Sequence, residues 1–387
     1  MAQVVVGTDV EINSMAKEPT PRNAKKGSVR GESDTALRGQ LERLDRDLVK
    51  LINQRTKLAG QLNKHRSGAT SDHAPPEPEP EEIAKALAHH KGPISTEALR
   101  AIFRELISGA KALERPCRVA VLGPAYSYSH LAAMARFGAA VEFVPVGSIS
   151  AVFEEVNRGH ATFGVVPIEN STDGRIADTL DMFTRLRVRI CGEVQLRIQH
   201  CLLGKCPRSD VTEVYSRPQA LSQCRNWLMK HLPGARTIEV TSTATAAQLA
   251  RDKQGAAAIA SSQAGVHYGL EVLAENIEDN PSNVTRFAVI GDESAPRTGH
   301  DKTSLMFEVA HRPGSLADAI AIFKRCRLNL TWIESFPIPQ TEGHYLFFVE
   351  LDGHENETRV KKALAALERK AVRLEVLGAY PRSQPAS

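Results

Sequence analysis

The chain has 387 residues, 42% of them hydrophobic and 24% charged, an ordinary composition for a globular protein of roughly two to four domains. Its formal net charge of +4 leaves no electrostatic footprint for a nucleic-acid or membrane partner. Its longest uncharged apolar runs are far shorter than a membrane span.

Residues 1–32 lack periodicity and collect Pro, Gly, Asn and Lys, so they read as a mildly basic, disordered arm. Residues 1–6 are apolar, but no basic segment precedes them and no cleavage-like site follows; no signal peptide is read. Leu37, Leu41, Leu44, Leu48 and Leu51, then Leu58 and Leu62, form a heptad seam. That spacing predicts a helix of about eight turns, capped by Ser33 or Asp34. Residues 67–82 break it and add acid. Ile83 and Leu87 mark a short second helix, and Ser95 caps a third that carries Leu99, Phe103, Leu106, Ala110 and Leu113. Two shorter helices cannot cover both sides of the long one, so a homodimer or higher homo-oligomer is expected.

From 117 to 292 the pattern changes. Apolar runs at 119–122, 141–144, 163–166, 213–215, 256–259 and 286–290 alternate with helical stretches near 128–137, 149–158, 175–184 and 221–228. Such alternation predicts a parallel-rich α/β domain. Its size and Gly-rich turns suit two lobes with a cleft, where ligands sit beyond the carboxyl ends of strands. The six cysteines are scattered without a CxxC pair, which points to reduced thiols and a cytoplasmic location. Cys201 and Cys206 alone do not supply the four ligands of a structural zinc site, so no metal is expected.

A polar stretch at 292–302 leads to the last domain. Strands at 304–310, 329–334, 344–351 and 372–377 and helices around Leu316–Ile320–Phe323 and 359–367 follow in the order βαββαβ, that of an α+β ferredoxin-like module.

Arg55 occupies a seam position on the long helix. A lone arginine there can simply snorkel, but Arg38, Lys64 and Arg66 share the helix, and a cation-lined helix can hold a small dianion. The segment ALRGQLERLDRDLVKLINQRTKLA resembles the first helix of the all-helical chorismate mutases. The resemblance implies that Arg38, Arg55 and Arg66 hold substrate carboxylates and that Glu114 contacts the ether oxygen. The family also draws an arginine from the start of its second helix. Here no arginine occurs between Arg66 and Arg100, and Pro75 to Glu82 is proline and carboxylate. Weak or lost mutase activity is therefore expected.

Five segments in order, VAVLGPAYSYSHLAA, VVPIENSTDGRIADTLD, VYSRPQALSQC, TSTATAAQLA and NVTRFAVIG, are similar to the motifs of prephenate dehydratases. The family's fold resembles the two-lobed periplasmic binding proteins. The reaction it implies, prephenate to phenylpyruvate with loss of carbon dioxide and water, needs two carboxylates held and a donor at the departing hydroxyl. No cofactor is implied. By the resemblance Thr285, Glu169 and Asn170 are catalytic. Ser127, Ser129, Ser171, Thr172, Ser216, Gln219, Gln223, Thr243, Arg286 and Phe287 bind substrate. This chain has Tyr126 where the family usually has glycine, and Arg217 where it usually has histidine.

The C-terminal module resembles an ACT domain, an amino-acid sensor. Gly314, Ser315, Leu316 and Ala317, with Glu334, Ser335, Phe336 and Pro337, match its two phenylalanine-contact motifs. Phe336 stands where the family has arginine. The resemblances together describe a feedback-regulated dehydratase behind a mutase-like helical domain. A fully bifunctional isomerase–dehydratase and a non-catalytic small-molecule sensor are the alternatives.

Overall fold

The structure, a computed structural model, describes residues 34–66, 81–113, 116–172, 174–338, 344–383 and 385–386. The expectations for the arm at 1–32, for Ser33, for the stretch at 67–80 and for Glu114 lie outside the described residues. The chain divides into two units, Met1–Gln54 and Arg55–Ser387. The division falls inside helix α1 (Asp34–Arg66), whose 33 residues make about nine turns, one more than expected.

In the first unit Leu37, Leu41, Leu44, Leu48 and Leu51 are exposed, and in the second so are Leu58 and Leu62. The seam is the apolar face of a helix in water. The second unit continues with α2 (Glu81–Ala88), which buries Ile83 and Leu87, and α3 (Thr96–Ala112). Ser95 Oγ caps α3 by accepting from the Ala98 N–H at 3.1 Å. Phe103 of α3 lies beneath the Arg55 guanidinium, 5.9 Å from its ring centre.

The α/β region is built on two sheets. The first contains β1 (Arg118–Leu122), β2 (Glu142–Val146), β3 (Phe163–Asn170), β4 (Gly174–Arg175), β5 (Arg189–Arg197), β11 (Val284–Gly291) and β16 (Pro385–Ala386), in the order β16–β5–β11–β3–β1–β2 with β4 beside β3. Its helices are α4 (Tyr128–Phe137), α5 (Ile149–Asn157) and α6 (Ala177–Arg185). The second contains β6 (Cys201–Gly204), β7 (Glu213–Ser216), β8 (Arg236–Glu239), β9 (Ala256–Ala260) and β10 (Glu271–Ala274), ordered β10–β6–β9–β7–β8. Its helices are α7 (Pro218–Gln223), α8 (Arg225–His231), α9 (Thr243–Asp252) and α10 (Ser262–Tyr268). The single helix expected at 221–228 is broken at Cys224, which ends α7 and opens α8.

Each sheet has a parallel core, β2–β1–β3 in one and β8–β7–β9 in the other. The chain crosses between sheets twice, through 198–200 and back through 275–283. On return, β11 inserts antiparallel between β3 and β5. That insertion brings the last α/β motif beside the second one. Periodicity does not single out β5: it is buried on both faces, so its apolar residues do not alternate.

The C-terminal module comprises β12 (Asp301–Val309), α11 (Ser315–Arg325), β13 (Leu330–Pro337), β14 (Tyr345–Asp352), α12 (Thr358–Glu368) and β15 (Ala371–Pro381). Its antiparallel sheet is ordered β13–β14–β12–β15, the ferredoxin-like arrangement expected. One face packs Leu305, Phe307, Val349 and Leu351 against Phe323 and Leu367 of its helices. The other presents Met306, Leu346, Phe348 and Tyr380 to a core shared with Phe153, Val166, Phe183 and Ile290 of the first lobe. The module is thus fused to that lobe through a continuous apolar core. No helix among the described residues is long and apolar enough to cross a membrane.

Candidate active site

Register sets the site. Thr285 of β11 stands opposite Asn170 of β3, and Arg286 opposite Glu169. Because a strand's side chains alternate between faces, the Thr285–Asn170 pair and the Arg286–Glu169 pair point in opposite directions. Thr285 and Asn170 are both buried. Asn170 Nδ2 donates to Thr285 Oγ1 at 2.7 Å and to Asn283 Oδ1 at 3.0 Å. Asn170 Oδ1 accepts the Thr172 N–H at 2.9 Å. A backbone N–H can only donate, so the carboxamide orientation is forced. Thr285 Oγ1 therefore accepts from Asn170 and keeps its own proton for another partner.

Ser171 Oγ accepts the Val284 N–H at 2.9 Å and donates to the Ser282 carbonyl at 3.3 Å, and, contrary to expectation, Ser171 lines the cavity on the Glu169 and Arg286 side. Thr172 Oγ1 lies 3.4 Å from Asn283 Oδ1. Asn283 Nδ2 reaches Gln223 Oε1 of the second lobe at 3.1 Å. Gln219 shares α7 with Gln223. Ser216 ends β7 and donates to the Ile259 carbonyl at 2.7 Å; Thr243 is the first residue of α9 and is buried. In the first lobe Ser127 caps α4 and donates to the Leu122 carbonyl at 2.9 Å, with buried Ser129 in the first turn. The N-termini of α4 and α9 follow strands, and their free N–H groups favour anions.

Tyr126 adopts φ 62°, in the left-handed region that favours glycine, the residue the resemblance leads one to expect. Holding a side chain there costs roughly 1–2 kcal/mol. Its ring stacks on His267 of the second lobe at 4.1 Å. The departure from the family pattern thus places an aromatic bridge between the lobes.

Three expectations need correction. Glu169 and Arg286 are turned by the pleat away from Thr285. Arg286 Nε donates to Glu169 Oε2 at 3.1 Å, and its Nη1 lies 2.6 Å from both oxygens of Glu350 on β14 and 3.5 Å from Glu193. Its guanidinium sits 5.4 Å over the Trp332 ring. Lys302 Nζ joins Glu193 at 3.1 Å, and Tyr380 Oη donates to Glu350 at 3.1 Å. This ionic cluster lines a cavity of about 290 Å³ between the first lobe and the C-terminal module. Phe287 is in the core against Val119 and Phe163, not in the cleft.

Arg38 forms an exposed pair with Asp34 at 3.1 Å in the first unit; Arg55 belongs to the second. The Arg66 side chain and Glu114 lie outside the described residues. In the C-terminal module Gly314 (φ 83°) precedes α11, whose first turn holds Ser315, Leu316 and Ala317. On β13, Glu334 accepts from Arg175 Nη1 at 2.9 Å, and the same nitrogen reaches the Ser335 carbonyl at 3.1 Å. Phe336 packs toward the core shared with the first lobe, edge-on to Phe348, and Pro337 ends the strand. Phe336 therefore faces away from α11, because strand alternation sets it on the same side as Trp332.

The sequence reading passed over Asn283, Tyr128 and His200. For Asn283 a signal existed: it lies two residues before Thr285, just ahead of the strand. For His200 there was none.

The family model for prephenate dehydratase matches residues 119–295, and that for chorismate mutase type II matches 37–115. The bifunctional chorismate mutase/prephenate dehydratase of Aquifex aeolicus (strain VF5) is 42% identical over 352 residues, 90% of this chain and 97% of the relative. The prephenate dehydratase of Arthrobacter aurescens in complex with L-Phe superposes with a TM-score of 0.64 at 35% identity, covering 70% of this chain and 92% of that one. GqqA, a novel type of quorum quenching acylase, superposes with a TM-score of 0.63 at 28% identity over 69% and 98%. With its fold, its Asn170–Thr285 pair and these likenesses in agreement, the chain belongs to the bifunctional chorismate mutase/prephenate dehydratase family.

Proposed function

We infer that this protein converts prephenate to phenylpyruvate, carbon dioxide and water, in the cytoplasm, as a step of phenylalanine synthesis. The observation that carries the reading is the forced hydrogen bond from Asn170 Nδ2 to Thr285 Oγ1. It leaves the threonine proton available to a departing hydroxyl. In the reaction the ring C–O bond breaks as hydroxide leaves, and the proton from the Thr285 side makes it water. The ring carboxylate's C–C bond breaks, its electron pair completes the aromatic ring, and carbon dioxide departs. Solvent restores the threonine proton. Preorganised donation to a developing charge of this kind is worth on the order of a hundredfold in rate or more.

The C-terminal module is read as an ACT domain that binds phenylalanine between two copies of the chain. Supporting this are its ferredoxin-like sheet, the solved relative in complex with L-Phe and the tether from Arg175 to Glu334. The exposed leucine seam of α1 supports a homodimer or larger assembly, since a second copy would cover it. For the chorismate mutase type II domain, turnover of chorismate is expected to be weak beside the dehydratase step, on the strength of the proline and carboxylate run at 75–82. Full bifunctionality is the second reading, favoured by the relative's 97% coverage.

The test is direct. Purified protein is given prephenate and, separately, chorismate, and phenylpyruvate is followed. Turnover of prephenate that Thr285→Ala abolishes without unfolding the protein supports the reading; no turnover of prephenate overturns it.

A further inference from the structure

The two crossovers between the lobes are joined to each other. The Ile198 N–H donates to the Asn283 carbonyl at 2.8 Å and the Ile277 N–H to the His200 carbonyl at 2.9 Å. The His200 N–H donates to Glu278 Oε2 at 2.8 Å. His200 is 2% exposed. Its Nδ1 lies 3.0 Å from Tyr128 Oη on α4 of the first lobe, and its Nε2 lies 3.0 Å from Gln223 Oε1 on α7 of the second. A buried histidine with both nitrogens partnered can be a packing residue and nothing more. Here the donors and acceptors around it form a chain with a fixed direction.

That chain starts at a backbone group. The Thr172 N–H makes Asn170 Oδ1 an acceptor, so Asn170 Nδ2 donates to both Thr285 Oγ1 and Asn283 Oδ1. Asn283 Oδ1 then accepts, and Asn283 Nδ2 must donate to Gln223 Oε1. Gln223 Oε1 accepts, so His200 Nε2 must bring a proton to it. At the far nitrogen there are two ways to place protons. Tyr128 Oη lies 2.6 Å from the Gln199 carbonyl as well as 3.0 Å from His200 Nδ1. With the hydroxyl proton on Nδ1 the ring is neutral; with it on the carbonyl, Nδ1 carries its own proton. In both, Nε2 is protonated, so the direction of the chain is the same. Burial lowers the His200 pKa from its ordinary value, which favours the neutral ring.

We propose that His200 is a positioning residue for dehydration, whose Nε2–H fixes the Gln223 carboxamide with its oxygen toward Asn283 and so holds the second lobe against the Asn170–Thr285 pair. The proposal rests on the dehydratase reading above. It makes the crossover part of the reacting geometry: Gln223 comes from the second lobe, Thr285 from the first, and His200 stands between them. Without the Nε2–H, Gln223 Oε1 loses the bond that ties it to the crossover, and the hold of the second lobe on Asn283 and the Asn170–Thr285 pair loosens.

Two conservative variants of the full chain separate positioning from packing. His200→Gln carries an amide N–H near the position of Nε2; His200→Asn reaches only the position of Nδ1. Prephenate turnover by His200→Gln should stay within about threefold of wild type. For His200→Asn, kcat should fall on the order of tenfold to a hundredfold while KM moves little. A measurement on the wild-type protein stands even if a variant does not fold. The ¹⁵N spectrum of histidine-labelled protein should show one buried ring, absent from His200→Gln, in the Nε2–H form. A bare Nε2 on that ring, or equal kcat values for the two folded variants, would overturn the proposal while leaving the dehydratase reading intact. A wild-type protein that does not turn over prephenate would remove both.

Discussion

Arg286 and Glu350 form a two-point ion pair, with both carboxylate oxygens 2.6 Å from Nη1, directly behind the strand that presents Thr285. One residue of β11 thus serves the cleft and the next serves the junction with the C-terminal module. Both partners are buried, at 9% and 1% side-chain exposure. Removing Arg286 leaves Glu350, Glu193 and Glu169 with Lys302 as their counter-charge in a poorly solvated place. Arg286→Ala should destabilise the protein by about 3–5 kcal/mol, read as a lower urea midpoint. A loss under about 1 kcal/mol, in the range of exposed pairs, would mean that water already screens the cluster.

Asn170→Asp tests the direction of the bond to Thr285 at almost constant shape. An ionised aspartate has no proton to donate, so the Thr285 hydroxyl would turn to donate to it. The proton needed by the departing hydroxyl is then taken up inside the protein. A fall in kcat on the order of a hundredfold is expected, and near-wild-type turnover by the folded variant would contradict the assigned geometry.

Arg175 links two places that the sequence reading kept apart. It lies on β4, which pairs with β3 at Glu169 and Asn170, and its guanidinium holds Glu334 and the Ser335 carbonyl of β13. If phenylalanine acts through β13, Arg175→Ala should uncouple it: basal turnover is kept, and the effect of phenylalanine on substrate affinity, typically about 5- to 150-fold in coupled systems, shrinks toward none. Inhibition curves of wild type and variant, with calorimetric titration of phenylalanine, decide it. An unchanged inhibition midpoint would place the coupling elsewhere.

Glu213 supplies a test by pH. Its carboxylate accepts hydrogen bonds from Lys253 and the Tyr215 hydroxyl, which hold its pKa down at about 2 against an ordinary 4.5. A folded pKa below the unfolded one gives stability that is complete above the unfolded value and is lost as pH falls toward the folded one. The contribution should therefore fade between about pH 4.5 and pH 2. An NMR titration should find the Glu213 midpoint near 2 and see it rise in Lys253→Ala; a native midpoint near 4 would refute the pairing.

The mutase step carries the last prediction. Where the related enzymes place an arginine, residues 75–82 supply prolines and carboxylates, which repel a dianion. If Glu114 contacts the ether oxygen, as the resemblance implies, it must be protonated to donate to it, so residual activity should rise as pH falls. Steady-state assays on chorismate at about pH 5 and pH 8 read this directly. Turnover at the higher pH comparable with the dehydratase step would establish full bifunctionality instead.

Much of the architecture was legible because it is written in local periods. The heptad seam of α1, the Ser95 cap, the alternation from Arg118 onward and the βαββαβ order of the last module depend on residues close in sequence. The residue types at Asn170, Thr285 and Gln223 were legible through five ordered motifs. What was not legible was which way neighbours in a motif point. Thr285 and Arg286 were read as one site, and so were Glu169 and Asn170. Strand pleating divides both pairs, sending Thr285 and Asn170 to the cleft and Arg286 and Glu169 to Glu350 and Trp332.

By itself the sequence determined the long heptad helix, the strands β1, β2, β3, β7 and β9 and the βαββαβ order of the last module, since each follows from local pattern and side-chain type. Tertiary structure alone decided the pairing of β11 with β3, the face each residue takes and the meeting of His200 with Tyr128 and Gln223. Those depend on contacts between segments 23 to 115 residues apart, from His200 with Gln223 to Asn170 with Thr285, and on two crossovers that bring the lobes together. Contacts of that range are set by how whole sheets bury their apolar faces, and no short window of sequence contains them.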